Sequence, residues 1–163
     1  HYKPIAYLII CSIIYTVVSH NLELHIEHQQ IKGNVGKVFG WITEHYNYSN
    51  LIEILFIGLT LKLFFRKREF NYLENLVLLC YLTGFCMLVG GLFIAATYVS
   101  KVESINAFFS LFTLIYMVWA IGQFYNDKNW LTYFKAFWAY ILGFLLFGIA
   151  AVALGQVLNA LNF

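Results

Sequence analysis

The chain has 163 residues, of which 61% are hydrophobic, 20% aromatic and 11% charged. This composition is far more apolar than that of a soluble domain and indicates an integral membrane protein. The formal net charge of +2 is small, and the basic residues flank apolar runs rather than forming a stripe, which excludes a typical nucleic-acid-binding protein.

Five apolar runs are candidates to cross a bilayer as helices, since about 30 Å of hydrocarbon needs about 20 residues at 1.5 Å each. The predicted spans are Pro4–His20, Asn50–Phe65, Asn75–Ser100, Ile105–Tyr125 and Tyr133–Ala160. The first two are short, and the third and fifth are long enough to tilt. The sequence predicts one all-α domain, a bundle of five spans, or of four if the first run is interfacial or is a signal peptide cleaved near Ser19.

The distribution of Lys and Arg predicts the orientation of the chain. With a cytoplasmic N-terminus, seven of the ten basic residues fall at inner span ends. Those on the outer side are Lys32, Lys37 and Lys101. Because Lys and Arg accumulate on the cytoplasmic side, we expect a bacterial inner-membrane protein with its N-terminus in the cytoplasm and its C-terminus in the periplasm.

The stretch RKREFNYLENL places a group of charges between the second and third spans. Its basic residues, Arg66 to Arg68, are predicted to anchor the cytoplasmic end of the second span at headgroup level. Glu69 and Glu74 are candidates to pair with them. Asn71 or Asn75 is expected to cap the third helix by accepting hydrogen bonds from its first free N–H groups.

The one substantial segment predicted outside the membrane is Asn21–Ser49. In its second half, apolar residues recur at helical spacing between Ile31 and Tyr46, which predicts an amphipathic helix on the outer membrane surface or packed over the bundle. Three glycines in this half each cost about 1 kcal/mol relative to Ala in a helix. A re-entrant loop is therefore the alternative.

The first half of that segment, with the residue before it, holds the richest group of potential metal ligands. These residues are His20, Glu23, His25, Glu27 and His28. On a continuous helix they divide between two faces, so neither face offers more than a partial site. A zinc or other transition-metal site would need the helix to break or His45 to join. The alternative is a polar collar where the chain leaves the membrane.

The remaining chemistry-bearing residues form no recognisable catalytic pattern. Cys11, Cys80 and Cys86 lie within apolar runs and are predicted to be small buried hydrophobes. The sequence has no zinc or redox cysteine spacing, no nucleophile motif and no phosphate-binding glycine loop. We therefore expect a non-enzymatic protein without a cofactor.

Ionisable residues in the middle of a span are costly and usually functional. Here they lie near predicted span ends, where Lys62 and Lys135 can reach the headgroups. Glu53 is the best candidate for a buried acid, and its alternative role is a carboxylate in contact with water at the outer interface.

Two spans carry small residues on one face. The residues are Gly84, Gly91 and Ala95 in the third span, and Gly148, Ala151 and Gly155 in the fifth. Small side chains let helix backbones approach closely. These faces are predicted to pack helices within the chain or to contact a partner.

Three stretches carry a resemblance to a known family. They are YKPIAYLII at Tyr2–Ile10, FNYLENLVLLCYL at Phe70–Leu82 and FYNDKNWLTYFKAFWAYIL at Phe124–Leu142. They resemble the first-span entry, a middle-span opening and the last-span region of a Bacteroidota family of multi-span membrane proteins of unknown function, often with an upstream zinc ribbon. The resemblance implies that Tyr72, Glu74 and Asn75 do more than anchor a turn. Where the family pattern has His, this chain has Asn75, which forms hydrogen bonds but does not titrate near neutral pH.

Three functions are compatible with this sequence. The first is an accessory or anchoring subunit of a larger membrane complex. The second is a small transporter, channel or lipid-handling protein, with a cavity that reaches Glu53 and polar positions such as Thr60, Thr83 and Gln123. The third is a membrane metal protein or enzyme that uses the outer His and Glu residues. Candidate contacts with a partner or with lipid are Glu53, Arg66, Arg68, Tyr72, Glu74, Asn75, Gly91, Ala95, Gly148 and Gly155.

Overall fold

A computed structural model describes residues 3–21, 40, 42, 46–100, 104–125 and 129–160. Every regular element in these ranges is an α-helix, which confirms the predicted all-α class. The helices are α1 (Pro4–Asn21), α2 (Tyr46–Phe64), α3 (Tyr72–Ser100), α4 (Ser104–Phe124) and α5 (Trp130–Ala160). Of the segment predicted outside the membrane, Gly40 and Ile42 are helical, and most of the predicted amphipathic helix lies outside the described residues.

Three of the helices are long and apolar enough to cross a membrane. Their apolar stretches are Tyr72–Ser100, Ala107–Phe124 and Trp130–Leu154. Helix α1 is apolar but shorter. Helix α2 is not among the three, because polar residues occupy its first turn and Glu53 and Lys62 interrupt its apolar part.

Four of the five helices start within three residues of the expected position, and the start of α2 differs most. It begins at Tyr46, four residues before the predicted Asn50, because a polar first turn shows no apolar periodicity. Glu53 therefore lies about 10 Å along the helix axis from its first residue, rather than at its end.

Helices that follow one another in the chain alternate in direction. Tyr7 lies against Gly84 and Val18 against Gly91, so α1 and α3 run parallel. Thr60 bonds to Ala139 and Ile57 lies against Gly143, so α2 and α5 run antiparallel. These two pairs, α1 with α3 and α2 with α5, have the most extensive packing contacts in the described structure. Helix α4 contacts one member of each pair, α3 and α5.

The α2–α5 pair approaches most closely at Gly143. A Cβ atom added to Gly143 would lie 2.6 Å from the Cα atom of Ile57 and 2.8 Å from the hydroxyl oxygen of Thr60. That hydroxyl also donates a hydrogen bond across the pair to the carbonyl oxygen of Ala139, at 2.7 Å. The absence of a side chain on Gly143 thus allows the backbone contact and the hydrogen bond to form side by side.

The end of the bundle that carries Arg66, Lys67 and Arg68, here called the basic end, is closed by aromatic rings. The rings of Phe65 and Tyr125 stack with centroids 3.8 Å apart, and the rings of Phe70 and Tyr125 form a T-shaped contact. The Tyr125 hydroxyl donates a hydrogen bond of 2.8 Å to the side-chain oxygen of Asn75, which is only 1% exposed. This cluster fastens α2, α3 and α4 together.

The turn between α2 and α3 explains where α3 begins. The Asn71 N–H donates to a carboxylate oxygen of Glu74 at 2.6 Å, and the Asn75 N–H donates to the Asn71 carbonyl. Asn71 is thus the N-cap and Glu74 the third helical residue of a capping-box arrangement. Of the two predicted caps, Asn71 holds the N-cap position, where its backbone N–H donates to Glu74, whereas the Asn75 side chain bonds to Tyr125 instead.

Replacing Glu74 by Ala is expected to lower the free energy of unfolding by about 0.5–1 kcal/mol, because the Asn71 N–H loses its protein acceptor. Glu74→Gln retains an acceptor oxygen and should keep most of the stability. Thermal unfolding in detergent, followed by tryptophan fluorescence, measures both. Equal losses in the two variants would show that the charge of Glu74, rather than its hydrogen bond, stabilises the turn.

Candidate functional site

A cavity of about 480 Å³ lies between the helices, and side chains from all five line it. This space is called the central cavity below. Its polar side chains, Asn50, Glu53, Thr83, Ser110 and Thr113, come from α2, α3 and α4. A concave, mostly apolar site with a few convergent polar groups is the usual form of a small-molecule site.

Helical spacing brings the α2 residues into the central cavity. Asn50, Glu53, Ile54 and Ile57 stand at positions i, i+3, i+4 and i+7, and all four line it. These positions share one face of a helix. The α2 face that packs inward therefore starts with two polar residues and continues with two apolar ones.

Two buried polar atoms at the central cavity have no hydrogen-bond partner in the described structure. They are the amide nitrogen of Asn50 and the hydroxyl oxygen of Thr113. The Asn50 side chain is 5% exposed. An unsatisfied buried polar group costs about 1–3 kcal/mol. A bound molecule that offers partners to these two atoms would recover that energy.

Glu53 contributes the acidic group of the central cavity. Its side chain is half-buried. No described residue forms an ion pair with its carboxylate or donates a hydrogen bond to it. A charge in an apolar environment is costly unless it is paired. This carboxyl group is therefore the group of the site that a ligand of opposite charge would stabilise most.

Aromatic rings form much of the rest of the wall. Tyr15, Phe109, Tyr140 and Phe144 line the cavity from α1, α4 and α5. Gly90 on α3 makes room for two of them, since a Cβ atom there would lie 2.8 Å from the Phe109 ring and 3.2 Å from the Tyr15 ring. The rings can therefore reach the cavity because α3 has no side chain at this point.

The polar positions predicted to line a path divide into two groups. Thr83 lines the central cavity together with Glu53. Thr60 instead bonds to α5, and Gln123 donates to the hydroxyl of Tyr133 at an exposed position. Of the three polar positions other than Glu53, only Thr83 is part of the site.

The residues highlighted at the basic end have fastening contacts. Arg66 and Arg68 are exposed in the turn. The Tyr72 hydroxyl donates to the carbonyl oxygen of Leu55 at 3.1 Å, which ties α3 to α2. Glu74 caps α3, and Asn75 bonds to Tyr125. Tyr72, Glu74 and Asn75 thus hold three different parts of the junction.

The small-residue faces have different surroundings. On α3, a Cβ atom added to Gly91 would lie 3.9 Å from a side-chain carbon of Val18, so this face packs within the chain, and Ala95 is half-buried. On α5, no atom lies within 4 Å of the position of a Cβ on Gly148. The surroundings of Gly155 lie outside the described residues.

The predicted metal ligands also fall outside what can be described. His20 belongs to the last turn of α1, but its side chain, like Glu23, His25, Glu27 and His28, lies outside the described residues. Within the described ranges, no three His, Cys, Asp or Glu side chains come together as a metal site. The metal hypothesis stays a prediction.

Sequence analysis found Glu53 and Thr83 but missed Asn50 and Thr113. Asn50 stands at the predicted start of a span, where an amide reads as a cap or an interfacial residue. Thr113 lies in an apolar run, and a single hydroxyl in a span usually bonds to its own helix. Asn50 lies three positions before Glu53, and Thr113 lies three positions after Ser110, so each pair shares one helix face. This spacing is the signal in the sequence that could have placed Asn50 and Thr113 at the site.

No protein-family model, curated protein or solved structure matches the chain. The resemblance to the Bacteroidota family stays a prediction.

Proposed function

We propose that the chain is a multi-span membrane protein that binds a small molecule between its helices, as transporters and lipid-handling proteins do. One observation carries this proposal: the central cavity, about 480 Å³ in volume, brings the Glu53 side chain together with the unpartnered polar atoms of Asn50 and Thr113. Its volume falls within the range of about 300–1,000 Å³ typical of small-molecule sites.

The arrangement of polar groups favours a ligand over a purely structural role. A polar atom buried among membrane helices normally finds a partner on a neighbouring helix or on its own backbone. Thr60 and Thr97 do so, at 2.7 Å and 2.9 Å. Asn50 and Thr113 instead leave donors facing a space large enough for a molecule.

The proposed orientation places the basic end in the cytoplasm of a bacterial cell. Lys62, Arg66, Lys67 and Arg68 all belong to this end, and Lys62 donates to the carbonyl oxygen of Phe70 in the turn. The positive-inside rule assigns such an end to the cytoplasm. With the alternating helix directions, α1 then starts on the cytoplasmic side and α5 ends on the periplasmic side.

Replacing Thr83 by Phe tests the proposal by filling the central cavity without removing Asn50, Glu53 or Thr113. We expect the wild-type protein, purified from its native membrane in a mild detergent, to retain a small molecule that native mass spectrometry detects. Thr83→Phe should lose it, because the added ring occupies the same space.

The matched control is Leu92→Phe, which adds a ring at a position on α3 that is 71% exposed and outside the cavity. It should retain the molecule. A molecule that both variants keep would be bound elsewhere, and the proposal would be wrong. Wild-type protein that carries no molecule, and binds none when lipids and amphiphilic metabolites are added back, would also contradict it.

An accessory subunit is the second candidate function, and a groove along α5 favours it. The groove is a shallow depression on the exposed surface of α5 alone, beside Gly148 and between Phe144, Ile149 and Val152. A glycine in such a groove lets a foreign helix approach closely. A stoichiometric membrane partner that co-purifies with the wild type and is lost from Gly148→Leu would establish this function.

A further inference from the structure

We propose that the molecule bound in the central cavity is an organic cation, a protonated amine on an apolar body, with the Glu53 carboxylate as its counter-ion. This inference rests on the proposed function and deepens it, since it names the chemical class of the ligand. Charge, wall chemistry and coordination each support it.

The charge argument begins with the surroundings of Glu53. None of the described basic residues pairs with its carboxylate. Lys62, nine positions after Glu53 on the same helix, donates instead to the carbonyl oxygen of Phe70 at the basic end. A charge in an apolar environment is usually paired, and none of the described residues supplies that partner, so a cation on the ligand would provide it.

The wall is suited to the apolar body and positive head of such a ligand. Tyr15, Phe109, Tyr140 and Phe144 line the same cavity as Glu53. The face of an aromatic ring attracts a cation within about 6 Å, by about 2 kcal/mol or more where water is excluded. Aromatic walls around one carboxylate thus favour ammonium over a neutral or anionic group.

The unpartnered polar atoms add hydrogen-bond specificity. The Thr113 hydroxyl oxygen can accept from an ammonium N–H, as can the Glu53 carboxylate. The Asn50 amide nitrogen only donates, so it selects a ligand with an oxygen near the amine. A protonated amine, which donates several hydrogen bonds, matches this set better than a quaternary ammonium.

The same residues are poorly suited to a metal ion. Calcium takes six to eight oxygen ligands, and magnesium needs near-octahedral oxygen coordination. The described wall offers one carboxylate, and its other oxygens belong to one amide and a few hydroxyl groups among aromatic and aliphatic side chains. The volume, about 480 Å³, is also that of an organic molecule rather than of an ion.

Three probes of nearly equal size and different charge test the inference. Benzylammonium, benzyl alcohol and benzoate are titrated separately into the full chain in lipid nanodiscs at neutral pH, with isothermal titration calorimetry as the readout. We expect benzylammonium to bind at least about tenfold more tightly than benzyl alcohol, a difference of about 1.4 kcal/mol. Benzoate should show no saturable binding.

Glu53→Gln should remove the preference for benzylammonium over benzyl alcohol and leave the binding of the alcohol nearly unchanged, because glutamine keeps the shape and loses the charge. Glu74→Gln, an exposed acid at the basic end, is the control and should keep the preference. The comparison of the three probes on the wild type needs no variant and decides the matter even if Glu53→Gln does not fold.

The outcomes separate this inference from the proposed function. Equal or tighter binding of benzyl alcohol, blocked by Thr83→Phe, would overturn the cation assignment and leave a ligand-binding protein. Saturable calcium binding that is lost in Glu53→Gln and displaces benzylammonium would also overturn it, in favour of a metal. Failure of all three probes to bind, together with no retained native molecule, would overturn both proposals.

Discussion

Replacing Gly143 by Ala is expected to reduce the stability of the purified protein by about 1–3 kcal/mol, the usual cost of inserting a methyl group into a closely packed site. The new Cβ atom would meet the backbone of Ile57 at 2.6 Å, and a backbone cannot rotate away as a side chain can. Helices α2 and α5 would have to separate, which also strains the hydrogen bond from Thr60 to Ala139.

Gly148→Ala is the matched control, five residues further along the same helix. No atom lies within 4 Å of its added methyl group, so its unfolding temperature should equal or slightly exceed that of the wild type. Thermal unfolding of both variants in the same detergent makes the comparison. Equal losses of stability would show that a methyl group on α5 destabilises the helix at either position. The close approach at Gly143 would then not be what joins α2 and α5.

The second large effect is expected at the buried hydrogen bond between Tyr125 and Asn75. Tyr125→Phe should lower the free energy of unfolding by about 1–3 kcal/mol, because the side-chain oxygen of Asn75 loses its hydrogen-bond donor. The amide nitrogen of the same side chain already has no partner. Asn75→Leu should cost a similar amount, since it leaves the Tyr125 hydroxyl without an acceptor in a site that is 3% exposed.

The double variant, Asn75→Leu with Tyr125→Phe, should be more stable than the sum of the two losses predicts. Replacing both partners by apolar groups removes the unsatisfied atoms together, which is often nearly neutral. Unfolding midpoints of the four proteins complete the cycle. Strictly additive losses would show that the hydrogen bond contributes little and that packing of the ring against Phe65 holds the basic end together.

Much of the fold could be predicted from the sequence because long apolar runs and their basic flanks are strong, local signals. The helices that begin at Pro4, Ser104 and Trp130 start within three residues of the expected positions. The membrane spans are confirmed only in part: three helices meet the requirement, whereas α1 is shorter and α2 begins with a polar turn.

The site was harder to predict, since helices that are apolar on most sides do not indicate which face packs inward. Glu53 could be predicted because an acidic residue within an apolar run is unusual. Only the packing of the helices shows that Asn50 and Thr113 line the same cavity. At the basic end, residue type alone gave a wrong prediction for Asn75. Asn75 had the chemistry of a cap, and tertiary contact with Tyr125 gave it another partner.

The two tightly packed helix pairs have a mechanical consequence. Each pair packs closely at a glycine, α2 with α5 at Gly143 and α1 with α3 at Gly84, and the two pairs are joined at the basic end, whereas α1 and α2 share few contacts. The central cavity is lined by both pairs. A rotation of one pair against the other about the basic end, with α4 following, would change the cavity's volume while leaving both close contacts intact. Admission of a ligand would then require hinge motion at the turns and no unfolding of any helix.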